Sequence, residues 1–309
     1  MQSKLHPVQF VSWEAGLEAA RNWLKSSGKS PTILVEQNRN MGDTLHLTPI
    51  IRHYRTLHPT AAIAFVVAKD YLNVHEFNPH IDQLFGIPKL NPQDRIKLRR
   101  HILTYTDIDK IIAPSIFPYG EVWPELKWVH ANIADQYFHN AGIPNAQPLG
   151  GRRLEVCLHP EDEAWAERIA TGHQLTKRNS CVLEYNSYSG QPAWRVDHFK
   201  RFVNRCNAHG IKCISVCGAG EAPIPGSINC SGITWRQTVA LLSRVAAFVG
   251  IGSGLTMLAA AANPTPHILE ICIEDSINMS GCGYANSVKI VNLDPSTVAD
   301  HLWFRVINK

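Results

Sequence analysis

The sequence predicts an α/β protein made of two doubly wound parallel-sheet halves facing a cleft. Three observations carry that prediction. Short β-branched runs alternate with amphipathic helical stretches along the chain, the pattern that sets helices on both faces of a parallel sheet. Residues 144–153, with two prolines, two glycines and two arginines, interrupt the alternation as a linker, and it then restarts. The length, 309 residues, matches two domains of ~150 residues each. The expected domains are residues 1–150 and 151–309.

In the first half, residues 31–37 (PTILVEQ) suit a buried strand, and a polar loop, residues 38–43, follows. Thr48-Pro49 reads as a helix start, a hydroxyl cap before a proline, with Ile50, Ile51, Tyr54 and Leu57 on one apolar face. Strands are expected at 61–68, 81–87 and 110–113, with Asn78-Pro79 marking a turn. Helices are expected at 95–103 and 128–141. In the second half, strands are expected at 154–158, 181–185, 211–217, 246–250, 267–271 and 288–291. Helices are expected at 160–170, 196–209, 234–244, 255–262 and 295–307. In such sheets ligands bind beyond the carboxyl ends of the strands, where the strand order reverses.

Composition narrows the function classes. With 45% hydrophobic and 18% charged residues, the chain is neither disordered, collagen-like nor a small disulfide scaffold. Its most apolar segment, residues 248–262, is broken by three glycines and two hydroxyls and is too short for a membrane span. Residues 1–7 carry one basic residue and no apolar core follows, so no signal peptide is expected. The expectation is a soluble cytoplasmic protein without a transmembrane segment. The net charge, +4 from 30 basic and 26 acidic residues, is too balanced for nucleic acid as the main partner. The eight cysteines contain no C-x-x-C pair and read as buried, reduced thiols. The 15 histidines form no H-E-x-x-H pattern, and no metal site is expected.

Three loops can carry chemistry. The first ends Met41-Gly42-Asp43, where a carboxylate beside a turn-forming glycine can take a proton from an attacking hydroxyl. Asp43 reads equally well as a helix cap. The second is Phe248-Val249-Gly250-Ile251-Gly252-Ser253-Gly254, a strand running through glycines into a helix. Backbone N–H groups there suit a phosphate. Its spacing is neither the dinucleotide fingerprint nor a P-loop, and tight packing is the competing reading. Ser253 tips the balance to phosphate, because packing alone needs no hydroxyl. The third is residues 186–195 (NSYSGQPAWR), where Ser187, Ser189 and Arg195 can meet phosphate oxygens while Trp194 packs at the next helix. Arg52, His53, Arg55 and His58 make a basic helix face that reads as solvated. Residues 117–128 (FPYGEVWPELKW) read as a sugar-stacking segment or a surface loop.

These residues resemble a known family. Met41-Gly42-Asp43-Thr44-Leu45-His46-Leu47-Thr48-Pro49, then Tyr71-Leu72 and Asn78-Pro79-His80-Ile81-Asp82, look like the N-terminal domain of the ADP-heptose:lipopolysaccharide heptosyltransferases, glycosyltransferase family 9. In the second half, Ser231-Gly232-Ile233-Thr234, Leu241-Leu242-Ser243-Arg244 and the run from Phe248 to Ala261 are similar to that family's donor loop and its flanking helices. The resemblance implies a GT-B fold, an acceptor-binding N-terminal domain and a nucleotide-sugar-binding C-terminal domain. It places Asp43 on the catalytic base, with Asn40 and Gly42 on the acceptor side. It places Ser187, Ser253 and Gly254 around the donor diphosphate, while Gly252, Ser189 and Arg195 join them from the reading of the two loops themselves. The sequence departs from the family where its donor-site lysine is Pro192, its tryptophan-flanking proline is Arg195, its aspartate is Gly252 and its histidine is Met257.

The resemblance further implies inverting, metal-independent transfer of a heptose-like sugar in bacterial surface polysaccharide synthesis. No cofactor is called for. The partners are a nucleotide sugar, ADP-linked donors among the candidates, and a glycan or other hydroxyl acceptor. Work at the inner face of the membrane, through peripheral contact, is compatible with this. The competing expectation is a catalytically silent protein of the same fold that binds a nucleotide, a glycan or a partner enzyme. An epimerase or hydrolase ranks behind both, since no second acid–base group stands out.

Overall fold

The structure, a computed structural model, describes residues 6–113, 133–186, 194–272, 287–291 and 293–307. The chain forms two compact units, Met1–Cys157 and Leu158–Lys309.

The first unit holds a five-stranded sheet of β1 (Val8–Gln9), β2 (Thr32–Gln37), β3 (Ala62–Ala68), β4 (Gln83–Ile87) and β5 (Lys110–Ile112). The spatial order is β1-β4-β3-β2-β5, and the pairs are parallel. Every residue of β3 is buried, as expected for a parallel strand covered on both faces. The helices are α1 (Trp13–Ser26), α2 (Met41–Leu45), α3 (Leu47–Leu57), α4 (Leu72–His75), α5 (Pro92–Ile102) and α6 (Ile133–Asn140). Leu17, Ala20 and Leu24 of α1 fall at helical spacing and pack with Leu34, Val66, Phe85 and Ile87 of the sheet. Ser12 starts α1 by accepting the Ala15 N–H at 3.2 Å.

The second unit holds a six-stranded parallel sheet of β6 (Ser180–Leu183), β7 (Lys212–Ser215), β8 (Ile228–Asn229), β9 (Ala247–Gly250), β10 (His267–Cys272) and β11 (Ser287–Val291). Its order is β11-β10-β9-β6-β7-β8. Helices α7 (Pro160–Gly172), α8 (Val196–Ala208), α9 (Trp235–Leu242), α10 (Gly254–Ala261) and α11 (Pro295–Leu302) connect or flank these strands. Phe199, Phe202, Val203 and Cys206 of α8 and Val298, Ala299 and Leu302 of α11 join Cys181, Leu183, Val249 and Leu269 in one core.

Four expectations need correction. Residues 154–158 join neither sheet, because side chains of α3 hold this stretch. Thr48 Oγ1 accepts the Glu155 N–H at 3.0 Å, and the Arg52 guanidinium donates to the Gly151 and Arg153 carbonyls, each at 2.8 Å. The basic face of α3 is correspondingly not solvated: Arg55 reaches the Ala61 carbonyl at 2.8 Å and Asp82 at 2.5 Å, and His53 is buried. Thr48 does not cap α3 but donates back to the Leu45 carbonyl at 2.8 Å, one residue inside the helix. The stretch 38–43 is not all loop, since helix begins at Met41. Residues 117–128 lie outside the described residues.

The described cysteines are thiols, and Cys181, Cys206, Cys213 and Cys230 are buried. Among the described residues no helix is long and apolar enough to cross a membrane, and no group of three His, Cys, Asp or Glu side chains is arranged to hold a metal ion.

Candidate active site

Both sheets have a point where the chain reverses its direction of travel across the strands. In the first unit, the chain leaves β2 for β3 and β4 on one side, then returns to place β5 on the other. In the second, it leaves β6 for β7 and β8, then returns to β9, β10 and β11. Loops leaving adjacent strands in opposite directions open a crevice at the carboxyl ends of those strands. Asp43 lies just beyond β2. Gly252, Ser253 and Gly254 lie just beyond β9, and Glu184 lies just beyond β6.

Asp43 sits in the first turn of α2, and both of its carboxylate oxygens are engaged. Oδ2 accepts the Asn40 N–H at 3.2 Å, so Asp43 closes a capping box from the third helical position, and the N-cap is Asn40 rather than Asp43. Oδ1 accepts the Tyr137 hydroxyl at 2.6 Å, a short charge-assisted bond reaching across from α6. Arg39 Nε approaches Oδ2 at 3.9 Å, and the Asp43 side chain retains 12% of its exposure. Each carboxylate oxygen has a second lone-pair direction, so the bonds orient the group without exhausting it as an acceptor. Gly42 lies within the helical turn, its carbonyl accepting the His46 N–H at 3.2 Å, and is not the sharp bend expected of it. Asn40 is exposed at the helix start.

Beneath Asp43, the His46 ring stacks on Tyr137 with centroids 4.5 Å apart and planes 13° apart. Burial pushes the His46 imidazole down to about 4, against the opposing pull of the Asp43 charge, so His46 is neutral at physiological pH. His75 of α4 is fully buried and meets Thr44 Oγ1 at 3.0 Å. Thr44 already gives its hydroxyl hydrogen to the Met41 carbonyl at 2.8 Å, so His75 Nε2–H is the donor. Burial pushes the His75 imidazole down to about 3. Its Nδ1 is then a buried acceptor with no hydrogen-bond partner among the described residues.

In the second unit, Gly252 has φ +73°, the left-handed conformation glycine adopts without strain, and it swings the chain from β9 into α10. Ser253 caps α10: its Oγ accepts the Leu255 N–H at 3.1 Å, and its own N–H is held by Thr256 Oγ1 at 3.3 Å. The Ser253 hydroxyl hydrogen goes to Glu184 Oε1, linking the end of β6 to the loop after β9. Arg195 is exposed at the start of α8, its N–H donating to His198 Nδ1 at 3.2 Å. Trp194 is buried against Phe199 and Phe202, the packing role expected of it. Ser187 and Ser189 lie outside the described residues.

The sequence reading did not single out Tyr137, His46 or Glu184. Tyr137 is far along the chain from Asp43 and only the fold joins them. Glu184 had a visible signal, an acid closing the apolar strand run 181–183.

No protein-family model matches the sequence, and no curated protein sequence does. Solved structures do match. A family 9 glycosyl transferase from Veillonella parvula aligns with a TM-score of 0.63 at 16% identity, over 85% of this chain and 88% of that one. The ADP-heptose lipopolysaccharide heptosyltransferase II of E. coli also gives 0.63, at 15% identity, over 88% of this chain and 97% of its own. This chain carries the GT-B fold of the family 9 glycosyltransferases. The E. coli heptosyltransferase WaaC, solved with ADP, aligns at 0.59 and 14% identity over 88% and 98% of the two chains. The GT-B expectation drawn from the sequence therefore holds. At these identities the shared property is the fold, two Rossmann-like parallel sheets.

Proposed function

We propose that the protein is an inverting glycosyltransferase that moves a heptose-like sugar from a nucleotide diphosphate to a hydroxyl acceptor. The observation that carries this reading is Asp43: a carboxylate oriented by Tyr137 and Asn40, at the switch point of the first sheet of a GT-B fold. Asp43 takes the proton of the acceptor hydroxyl as that oxygen attacks the anomeric carbon, and the nucleotide diphosphate departs from the opposite face. The second unit supplies the donor site. The Gly252–Gly254 turn and the start of α10 receive the diphosphate, with Ser187, Ser189 and Arg195 beside it. The mechanism asks for no metal ion and no cofactor.

The solved relatives named above include an ADP-heptose enzyme and one bound to ADP, which makes an ADP-linked sugar the first donor to try. Lipopolysaccharide core, reached at the inner face of the membrane, is the corresponding first acceptor. One observation favours a second reading, a silent nucleotide-binding protein. The Ser253 hydroxyl is engaged by Glu184 and Leu255, and Gly252 and Met257 stand where the family has an aspartate and a histidine. A calorimetric screen of nucleoside diphosphates and nucleotide sugars tests the donor half. Saturable binding with preference for one base supports either reading, and consumption of the donor on adding a glycan acceptor selects the enzyme. Absence of binding by every compound contradicts both.

A further inference from the structure

Glu184 is the residue that ties together the two strand ends flanking the switch point of the second sheet. It follows β6 directly and is 1% exposed. Oε1 accepts the Ser253 hydroxyl, while Oε2 is buried with no hydrogen-bond partner among the described residues. A Cβ on Gly250 would meet the Phe248 ring at 2.5 Å and the same Oε2 at 2.7 Å, so β9 ends in glycine where that ring and this carboxyl both crowd it.

We propose that Glu184 is a positioning residue for the Gly252–Gly254 turn, and that the turn accepts a diphosphate only when Glu184 is neutral, so that binding takes up a proton. This rests on the assignment of that turn to the donor diphosphate.

The physical case is one of charge under an anion site. Oε1 can hold the Ser253 hydroxyl in either protonation state, so the cap of α10 stays in place. A proton on Oε2 removes the negative charge beneath the turn, whereas an ionised Glu184 repels the incoming diphosphate in a poorly solvated setting. The other carboxylate bearing on it is Glu270 of β10, itself fully buried, and this like charge also disfavours ionisation. The Ser253 hydroxyl and the Ile251 N–H pull the other way, and no lysine, arginine or histidine among the described residues contributes. Burial is the largest influence, and the carboxyl is pushed up to about 7. Both forms are then populated at neutral pH, and an arriving anion draws the population to the neutral one. By linkage, protonation strengthens binding by the same factor that binding strengthens protonation.

The test uses the full chain with ADP-glucose and UDP-glucose, whose diphosphate esters keep constant charge from pH 6 to 8. Calorimetry should show Kd rising roughly five- to tenfold from pH 6 to pH 8 in the wild type. In Glu184→Gln, whose amide mimics the neutral acid, Kd should change less than about twofold over the same range. At pH 7.5, titrations in two buffers of different ionisation enthalpy should show net proton uptake by the wild type alone. Equal pH dependence in both proteins, or no proton uptake by the wild type, overturns the proposal. If neither sugar nucleotide binds at any pH, the donor-site assignment itself fails and takes this proposal with it. Should the variant not fold, wild-type proton uptake decides alone.

Discussion

The Tyr137 hydroxyl donates to Asp43 Oδ1 at 2.6 Å, joining α6 to the short helix that follows β2. The tyrosine is fully buried and its ring is stacked on His46, so the hydroxyl has little freedom to point elsewhere. A carboxylate fixed in this way needs little reorganisation to serve as the proposed base. Tyr137→Phe keeps the stacking and removes the donor to Asp43, together with a 3.5 Å acceptor for Gln37 Nε2. The expected loss is that of one hydrogen bond to a charged group, about 1.5–3 kcal/mol, or roughly 10- to 100-fold in kcat. Nucleotide-sugar affinity should be unchanged. Steady-state kinetics beside a binding titration makes the check, and an unchanged kcat removes Tyr137 from the catalytic account.

Acid should destabilise the first unit through its buried histidines. His46 and His75 are held down to about 4 and about 3, in both cases chiefly by burial. Unfolded, both titrate near 6.5, so between about pH 6.5 and 4 the unfolded chain binds more protons than the folded one. Stability is therefore complete above that window and falls as pH drops through it. Melting curves from pH 7 to 4.5 should show Tm declining, with a shallower decline in His75→Gln, which keeps a donor for Thr44. Equal slopes would show that His75 does not titrate as its burial requires.

Ser253→Ala removes two bonds at once, the cap on Leu255 N–H and the donor to Glu184. Losing the cap costs about 1 kcal/mol, and leaving the buried Glu184 without its donor adds to that. A fall in Tm larger than that of an ordinary cap deletion is expected, together with weaker sugar-nucleotide binding. A fall typical of an isolated cap would mean that the Glu184 contact contributes nothing.

The Arg52 guanidinium gathers the Gly151 and Arg153 carbonyls and also meets Glu155 at 3.4 Å. Lysine keeps the charge but cannot present the same fork of donors. Arg52→Lys should therefore loosen residues 149–155, read as faster limited proteolysis there at nearly constant Tm. Cleavage at the wild-type rate would show that Thr48 and His53, which accept the Glu155 and Leu149 N–H groups, hold the segment without Arg52.

Local pattern made the strands legible. The apolar runs Ile33–Val35 of β2, Ala62–Ala68 of β3 and Ala247–Val249 of β9 need no partner to be recognised, because burial on both faces leaves them continuously apolar. Stretch 154–158 is a similar apolar run yet is not a strand, because its state is decided by Arg52 and Thr48, about a hundred residues away. The two short strands β1 and β8 and the helix α1 were missed. The strands are two residues long and pair at sheet edges, below the length at which periodicity can register. The site divides in the same way. Asp43 and Ser253 stand in motifs that can be read along the chain. Tyr137 and Glu184 become visible only when the sheet order brings separate strand ends together.

Asp43→Asn tests the central claim most directly. It removes the proposed base and leaves one oxygen, which can accept from Tyr137 or from the Asn40 N–H but not from both, since those bonds use different carboxylate oxygens. The measurement is release of nucleoside diphosphate from ADP-heptose in the presence of lipopolysaccharide core acceptor, set beside the affinity of each protein for the donor. Turnover should fall by about 10²–10⁴-fold, the scale of general-base catalysis, while donor Kd changes less than about twofold. Turnover at the wild-type rate would contradict that claim.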